Sequence, residues 1–315
     1  MDSPLAAHTI FCSTHMKNIA LYQQRLNLQG ATFSRIDHDD ALVAIVYKVT
    51  QPNGAQLILK ICTRANDYLR EVYFLTHFAG TLPVPRILEV VPPEMGLDGA
   101  VLMECLSGSL LKTTDFTDAL LYEMGSLLAL IHLNRVGGYG DLIQPHDLSP
   151  DPRIYFTLKF EEGFDECNTH LPKTMLEQCR HYYDAHINRL VSVGSSCIDG
   201  PCIVHRDFRP GNILVNGGKL QGIIGWSSGR ASFAQEDFSS MEHGEWLTNP
   251  TNKKFFLAGY ASVRPVPDYN AIMPLLRLSK AFATIGFTVK QGTWKSRDAR
   301  LYQLNRKFLE MLFNN

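Results

Sequence analysis

Between two apolar runs, Ile203-Val204 and Ile213-Leu214-Val215, the chain reads His205-Arg206-Asp207-Phe208-Arg209-Pro210-Gly211-Asn212. Asp207 and Asn212 thus stand five residues apart in a polar loop with β-branched sequence on either side. A carboxylate so placed can accept or orient the proton of an attacking hydroxyl. A neutral carbonyl oxygen nearby suits Mg²⁺, a hard ion that takes oxygen ligands and not thiolates. Together the two side chains have the chemistry that phosphoryl transfer asks of a protein: a base for the acceptor and support for a metal on the phosphates. The plainer alternative is a turn, where Asp and Asn are common because they bond to their own backbone.

The elements that would position this loop can be read from periodicity. Residues 42–49 and 56–61 are β-branched and aliphatic, and Gln51-Pro52-Asn53-Gly54 between them marks a hairpin. Leu69, Val72, Leu75 and Phe78 recur at helical spacing over 66–79, with Gly80 as the stop. Strand-like runs follow at 87–91 and 100–103. Beyond Leu106 the pattern turns helical. The clearest helix is 117–135, capped by Thr117 and ended by Gly137-Gly138; further helices are expected at 155–160 and 173–191. Short strands at 202–204 and 213–215 come next, and Asn216-Gly217-Gly218 turns the second back into 220–224. From Glu236 onward the chain reads as helices with a Pro-rich break at 264–268. The expected class is α+β, with a β-rich part carrying one helix (1–105) followed by a mainly helical part (106–315).

Length fits two cores better than one: 315 residues exceed what a single hydrophobic core usually serves. Thirty basic residues against 31 acidic ones leave no charge excess to attract nucleic acid or a membrane surface. Seven cysteines, none in a C-x-x-C, indicate neither a disulfide framework nor a zinc site, and a reducing cytoplasm fits best. The greasiest stretches, 41–47 and 127–131, are too short to span a bilayer.

The 203–215 segment resembles the H-x-D-x-x-x-x-N loop of the aminoglycoside phosphotransferases and their relatives, the choline, homoserine and methylthioribose kinases. Their usual form has Gly where this chain has Arg206. His-Arg-Asp is shared with protein kinases, but Pro210-Gly211-Asn212 followed by Ile-Leu-Val is the small-molecule form. The resemblance spans about 40–250 and implies a two-lobed, protein-kinase-like fold. It implies ATP and Mg²⁺ as cofactors and a small-molecule hydroxyl as acceptor. Asp207 takes the place of the catalytic base and Asn212 that of a metal ligand. Lys60, near the end of its strand, matches the lysine on the α/β-phosphates, and Glu71 on the next helix its partner. Leu102-Met103-Glu104-Cys105-Leu106 is similar to the hinge whose backbone, at Glu104 and Leu106, reads the adenine edge. Leu127-Ala129-Ile131-His132 with Tyr139-Gly140 is similar to a core helix and turn, which makes His132 a satisfied core histidine.

One departure bears on activity. The family follows its hairpin with Ile-Ile-Asp-Trp, whose Asp binds the metal; this chain has Ile223-Ile224-Gly225-Trp226. Gly225 has no side chain to offer. Of the acids that follow, Asp237 corresponds to a residue that braces the catalytic loop, and Glu236 is an open candidate for the metal. A second departure is the acidic Asp37-His38-Asp39-Asp40-Ala41, where protein kinases put glycines over the phosphates. For the acceptor, Glu242, Glu245 and Trp246 would suit a cation, while the acids at 161–166 read as a solvated helix face. Two readings remain: an ATP-dependent small-molecule kinase impaired at Gly225, and a pseudokinase that binds nucleotide or a protein partner without turnover.

Overall fold

The computed structural model describes residues 19–36, 44–191, 200–243 and 246–313. The acidic stretch 37–41 falls outside them, and so does Glu245. The chain divides into two compact units: residues 1–112 with 211–228, and residues 113–210 with 229–315.

The first unit is built on a five-stranded antiparallel sheet in the order β1-β2-β3-β5-β4. Its strands are β1 (Thr32–Arg35), β2 (Ala44–Thr50), β3 (Gln56–Cys62), β4 (Ile87–Val91) and β5 (Gly99–Glu104). The β2–β3 hairpin closes where the sequence marks it. Gln51 and Ala55 are bonded across the turn, Asn53 Oδ1 accepts from the Ala55 N–H, and Gly54 takes a φ of 85°. β5 (GAVLME) is apolar and buried along nearly its whole length, as a central strand requires. Helix α1 (Ala65–Phe78) follows β3 and buries Tyr68, Glu71, Phe74, Leu75 and Phe78. A second sheet of this unit joins β6 (Ser109–Leu110), β8 (Ile213–Asn216) and β9 (Lys219–Ile223). Gly217 and Gly218 both have positive φ, 57° and 75°, the geometry of a two-residue hairpin turn that fits the twist of its strands.

The second unit is mainly helical: α2 (Asp118–His132), α3 (Pro152–Cys167), α4 (Lys173–His186), α5 (Gln235–His243), α6 (Pro250–Ala261), α7 (Met273–Lys290) and α8 (Ala299–Met311). Its core includes Phe160, stacked on Tyr183 at 3.8 Å and edge-on to Phe282 at 5.6 Å. Helices α2 and α6 approach so closely that a β-carbon at Gly125 or Gly259 would run into the backbone of the facing helix. Thr117 caps α2 as expected, its hydroxyl accepting from the Leu120 N–H at 3.2 Å. The helix stops at His132 and not at Gly137-Gly138, because Asn134 turns its amide back onto the carbonyls of Leu130 and Ile131. Strand β7 (Cys202–Val204) pairs antiparallel with β10 (Arg230–Ser232), which periodicity did not indicate. Among the described residues no helix is long and apolar enough to cross a membrane.

Candidate active site

In the first unit, Lys60 lies on β3 between Val46 of β2 and Val101 of β5. Its Nζ stands 2.8 Å from Glu71 Oε2 of α1, with the lysine side chain 13% exposed and the glutamate 2%. Burial is the largest influence and opposes the ammonium, but the Glu71 carboxylate, together with Cys62 and Asp67, outweighs it and holds the lysine above its ordinary pKa. Lys60 is therefore a fixed cation. The end of β5 is tied down as well: the Glu104 N–H donates to the Arg86 carbonyl at 3.0 Å, and Glu104 Oε1 accepts from the Arg86 N–H at 3.0 Å. Leu106 lies against Gly222 of β9, where any β-carbon would strike it.

Asn212 and Gly225 are neighbours in this unit. The Ile224 N–H donates to the Asn212 carbonyl at 3.0 Å, and Asn212 is buried. Gly225 has a φ of 82°, and a β-carbon there would lie 2.7 Å from Asn212 Oδ1 and 2.9 Å from its Cγ. Position 225 is thus directed at the Asn212 carboxamide and supplies no donor. After it, Trp226 is fully buried, its ring 5.4 Å from Phe74 and 4.8 Å from Phe78.

In the second unit, the loop carrying Asp207 hangs on Asp237, the third residue of α5. The Asp237 carboxylate accepts from the backbone N–H groups of His205, at 2.8 Å, and of Arg206, and from His132 Nε2 at 3.0 Å. A carboxylate that only accepts puts the His132 proton on Nε2, which leaves Nδ1 to accept from the Tyr260 hydroxyl at 2.8 Å. Burial pushes the His132 pKa down, against the pull of Asp237, so the imidazole serves as a neutral core group. Asp237 itself is fully buried, which alone would raise its pKa; the bonds from His132 and His205 hold it below the ordinary value.

Arg206 adopts a φ of 64°, the left-handed region that disfavours a β-carbon. Here lies the physical reason for the glycine of the usual loop. In this chain the Arg206 side chain is anchored instead, its Nε donating to Glu236 Oε1 at 2.9 Å. Arg230 of β10 donates to the same carboxylate. Burial would raise the Glu236 pKa, but the Arg206 and Arg230 charges bring it down to about 2. Glu236 is consumed by two guanidiniums and is not the spare metal ligand that the sequence left open.

Asp207 is 38% exposed and accepts from Arg209 Nε at 3.0 Å, while its own N–H donates to His205 Nδ1 at 3.2 Å. Sequence reading missed Lys280 of α7. Its Nζ donates to the Arg206 carbonyl at 3.1 Å and to Ser240 Oγ at 2.7 Å. Burial pulls its pKa down to about 8, with Asp207 the largest opposing influence. A lysine framed by Leu278, Ser279, Ala281 and Phe282 was the available signal. Trp246 is 8% exposed and packs edge-on against Phe116 and Phe256; Glu242 lies in α5.

These residues give the metal that the resemblance implies only part of a site. Asn212 offers one neutral oxygen, Gly225 offers none, and Glu236 is occupied. Among the described residues no group of three or more His, Cys, Asp or Glu could hold a metal ion.

Comparison with solved structures shows the same fold at low identity. Aminoglycoside phosphotransferase APH(4)-Ia in ternary complex with ADP and hygromycin B superposes with a TM-score of 0.66 at 13% identity, over 93% of this chain and 97% of that one. Spectinomycin phosphotransferase APH(9)-Ia with ADP and spectinomycin gives 0.58 at 16%, over 90% and 92%. Plasmodium vivax ethanolamine kinase gives 0.64 at 12%, over 93% and 85%. The fold is the protein-kinase-like α+β fold that the loop motif implied. No curated protein sequence matches. The family model of the phosphotransferase enzyme family, APH, matches residues 39–265, more than half of the chain, and the chain belongs to that family.

Proposed function

We propose that this chain is an ATP-dependent phosphotransferase acting on a hydroxyl of a small molecule, with turnover reduced by the missing carboxylate at position 225. The observation that supports it most is the buried Lys60–Glu71 pair. Isolated buried ion pairs are weak devices for stability, so one kept in a strand–helix corner argues for use of the charge. Lys60 would contact the α/β-phosphates, oriented by Glu71, while the backbone of Glu104 and Leu106 reads adenine. Asp207 would accept the proton of the acceptor hydroxyl as its oxygen bonds to the γ-phosphorus and the bond to ADP breaks. Asn212 is the one side chain of the usual pair left for Mg²⁺. The nucleotides and small-molecule acceptors bound by APH(4)-Ia and APH(9)-Ia agree with this reading.

A second reading, a pseudokinase that binds nucleotide without turnover, is favoured by Gly225. With its φ of 82° and the Asn212 carboxamide where a side chain would begin, the segment is settled around a glycine. One experiment separates the two. Millimolar ATP should raise the melting temperature, because it binds only the folded protein. Absence of both a shift and calorimetric heat would dispose of both readings. A shift without any transfer or hydrolysis of the γ-phosphate selects the second.

A further inference from the structure

We propose that the acceptor is an anionic hydroxy compound, its carboxylate or phosphate held by Lys280 and Arg206 beside the Asp207 loop. The inference rests on the phosphotransferase reading and reverses the charge that Glu242, Glu245 and Trp246 would suit.

Most of the charges around the Asp207 loop are already matched. Asp237 is fully buried and accepts from two backbone N–H groups and His132. Glu236 is 7% exposed at its side chain and lies between Arg206 and Arg230. Neither carboxylate presents charge to a ligand. Among the described residues this part of the second unit carries Arg206, 27% exposed and paired with Glu236, Arg209, 28% exposed and paired with Asp207, the buried Arg230, and the partly exposed Lys280, which has no carboxylate within ion-pair distance. Four cations against the three carboxylates of Asp207, Glu236 and Asp237 leave one positive charge over, a field that favours a negative ligand over a positive one.

A small notch lies among these groups, with Arg206, Glu236, Ser239, Ser279 and Lys280 on its polar side and Phe156 and Leu276 on the other, and a free volume of about 10 Å³. That is room for one water-sized oxygen. Lys280 donates two N–H bonds within the protein and carries a third. Its ammonium is anchored to the carbonyl of Arg206, the residue before Asp207. An anionic oxygen seated there would hold the rest of the acceptor, including its hydroxyl, within reach of the base. A larger cavity of the same unit, about 250 Å³, is lined by Phe238, Met241, Leu247, Leu257 and Tyr269 with Thr248, and its one charged lining side chain among the described residues is Lys253. No carboxylate lines it to greet a cation.

The test uses the full chain and matched probes. 3-Hydroxypropanoate and choline share a hydroxyethyl stem and differ in the charge at its end; glycerol 3-phosphate supplies the phosphate form. Calorimetry at pH 7 should show at least one anion binding about tenfold tighter than choline. Lys280→Met and Arg206→Gly should each weaken that anion about fivefold or more. Arg206→Gly relieves the left-handed backbone, which keeps a folded variant in hand should Lys280→Met not fold. Choline binding as tightly as the tighter of the two anions, no anion binding at millimolar concentration, or anion binding unchanged in Arg206→Gly would each overturn the proposal. Parallel titration with AMP-PNP separates the two claims. AMP-PNP binding together with choline preference sinks the anionic acceptor alone, whereas anion binding without AMP-PNP binding sinks the phosphotransferase reading.

Discussion

Replacing Gly225 by Asp restores the carboxylate that the family uses, and its cost can be worked out from the backbone. A φ of 82° charges an L-residue about 1 kcal/mol. The new β-carbon begins 2.7 Å from Asn212 Oδ1, so the carboxamide must rotate, at the expense of about one hydrogen bond, or ~1 kcal/mol. Together these lower the melting temperature by roughly 3 °C for a chain of 315 residues. Gly225→Ala meets the same two costs without supplying a ligand and is the proper reference. If position 225 faces the metal, Gly225→Asp should gain Mg²⁺-dependent ATP affinity of about tenfold over Gly225→Ala, equivalent to ~1.4 kcal/mol. Transfer or slow hydrolysis should rise with it. Melting curves of both variants with ATP, with and without magnesium, give the comparison. Equal magnesium dependence in the two variants, both folded, would refute the reasoning.

Glu71→Gln leaves the Lys60 ammonium buried beside a neutral partner, which should cost roughly 3–5 kcal/mol in denaturant titration; a loss below 1 kcal/mol would show the pair to be slack. Asp207→Asn should abolish any phosphotransfer while ATP affinity, measured calorimetrically, stays within about threefold, because the base touches the acceptor. Acid titration should reveal Glu236. Its pKa falls from 4.5 unfolded to about 2 folded, so its contribution of about 3 kcal/mol is complete above the unfolded value and is lost as pH falls through 2. Melting temperature followed from pH 6 to pH 2 should therefore fall more steeply in the wild type than in Glu236→Gln.

Local order made much of the first unit legible. A strand lysine followed by an amphipathic helix with an inward glutamate suffices to expect the Lys60–Glu71 contact, since eleven residues separate them. The hairpins were equally plain, because their turns need glycine for reasons internal to the turn. What stayed hidden depends on distant contacts. Arg230-Ala231-Ser232 has no β-branched residue and is a strand only because β7 offers it edge bonds. Lys280 is 74 residues from the carbonyl it binds. The left-handed backbone of Arg206 could be suspected from the glycine it replaces, but the fate of Glu236 could not. Its neutralisation takes two arginines, 30 residues before it and 6 before it.

Trp226 gives the missing carboxylate a setting of its own. The indole is clasped by Phe74 and Phe78, on the same helix that carries Glu71. Glycine at 225 therefore sits beside a fixed anchor: the residue after it is held in place by about as much apolar contact as one side chain can make. A side chain at 225 would press on Asn212, while Trp226, one peptide bond on, stays seated on the helix. The strain of a substitution at 225 therefore falls on Asn212, and the helix that carries Glu71 beside Lys60 keeps its footing.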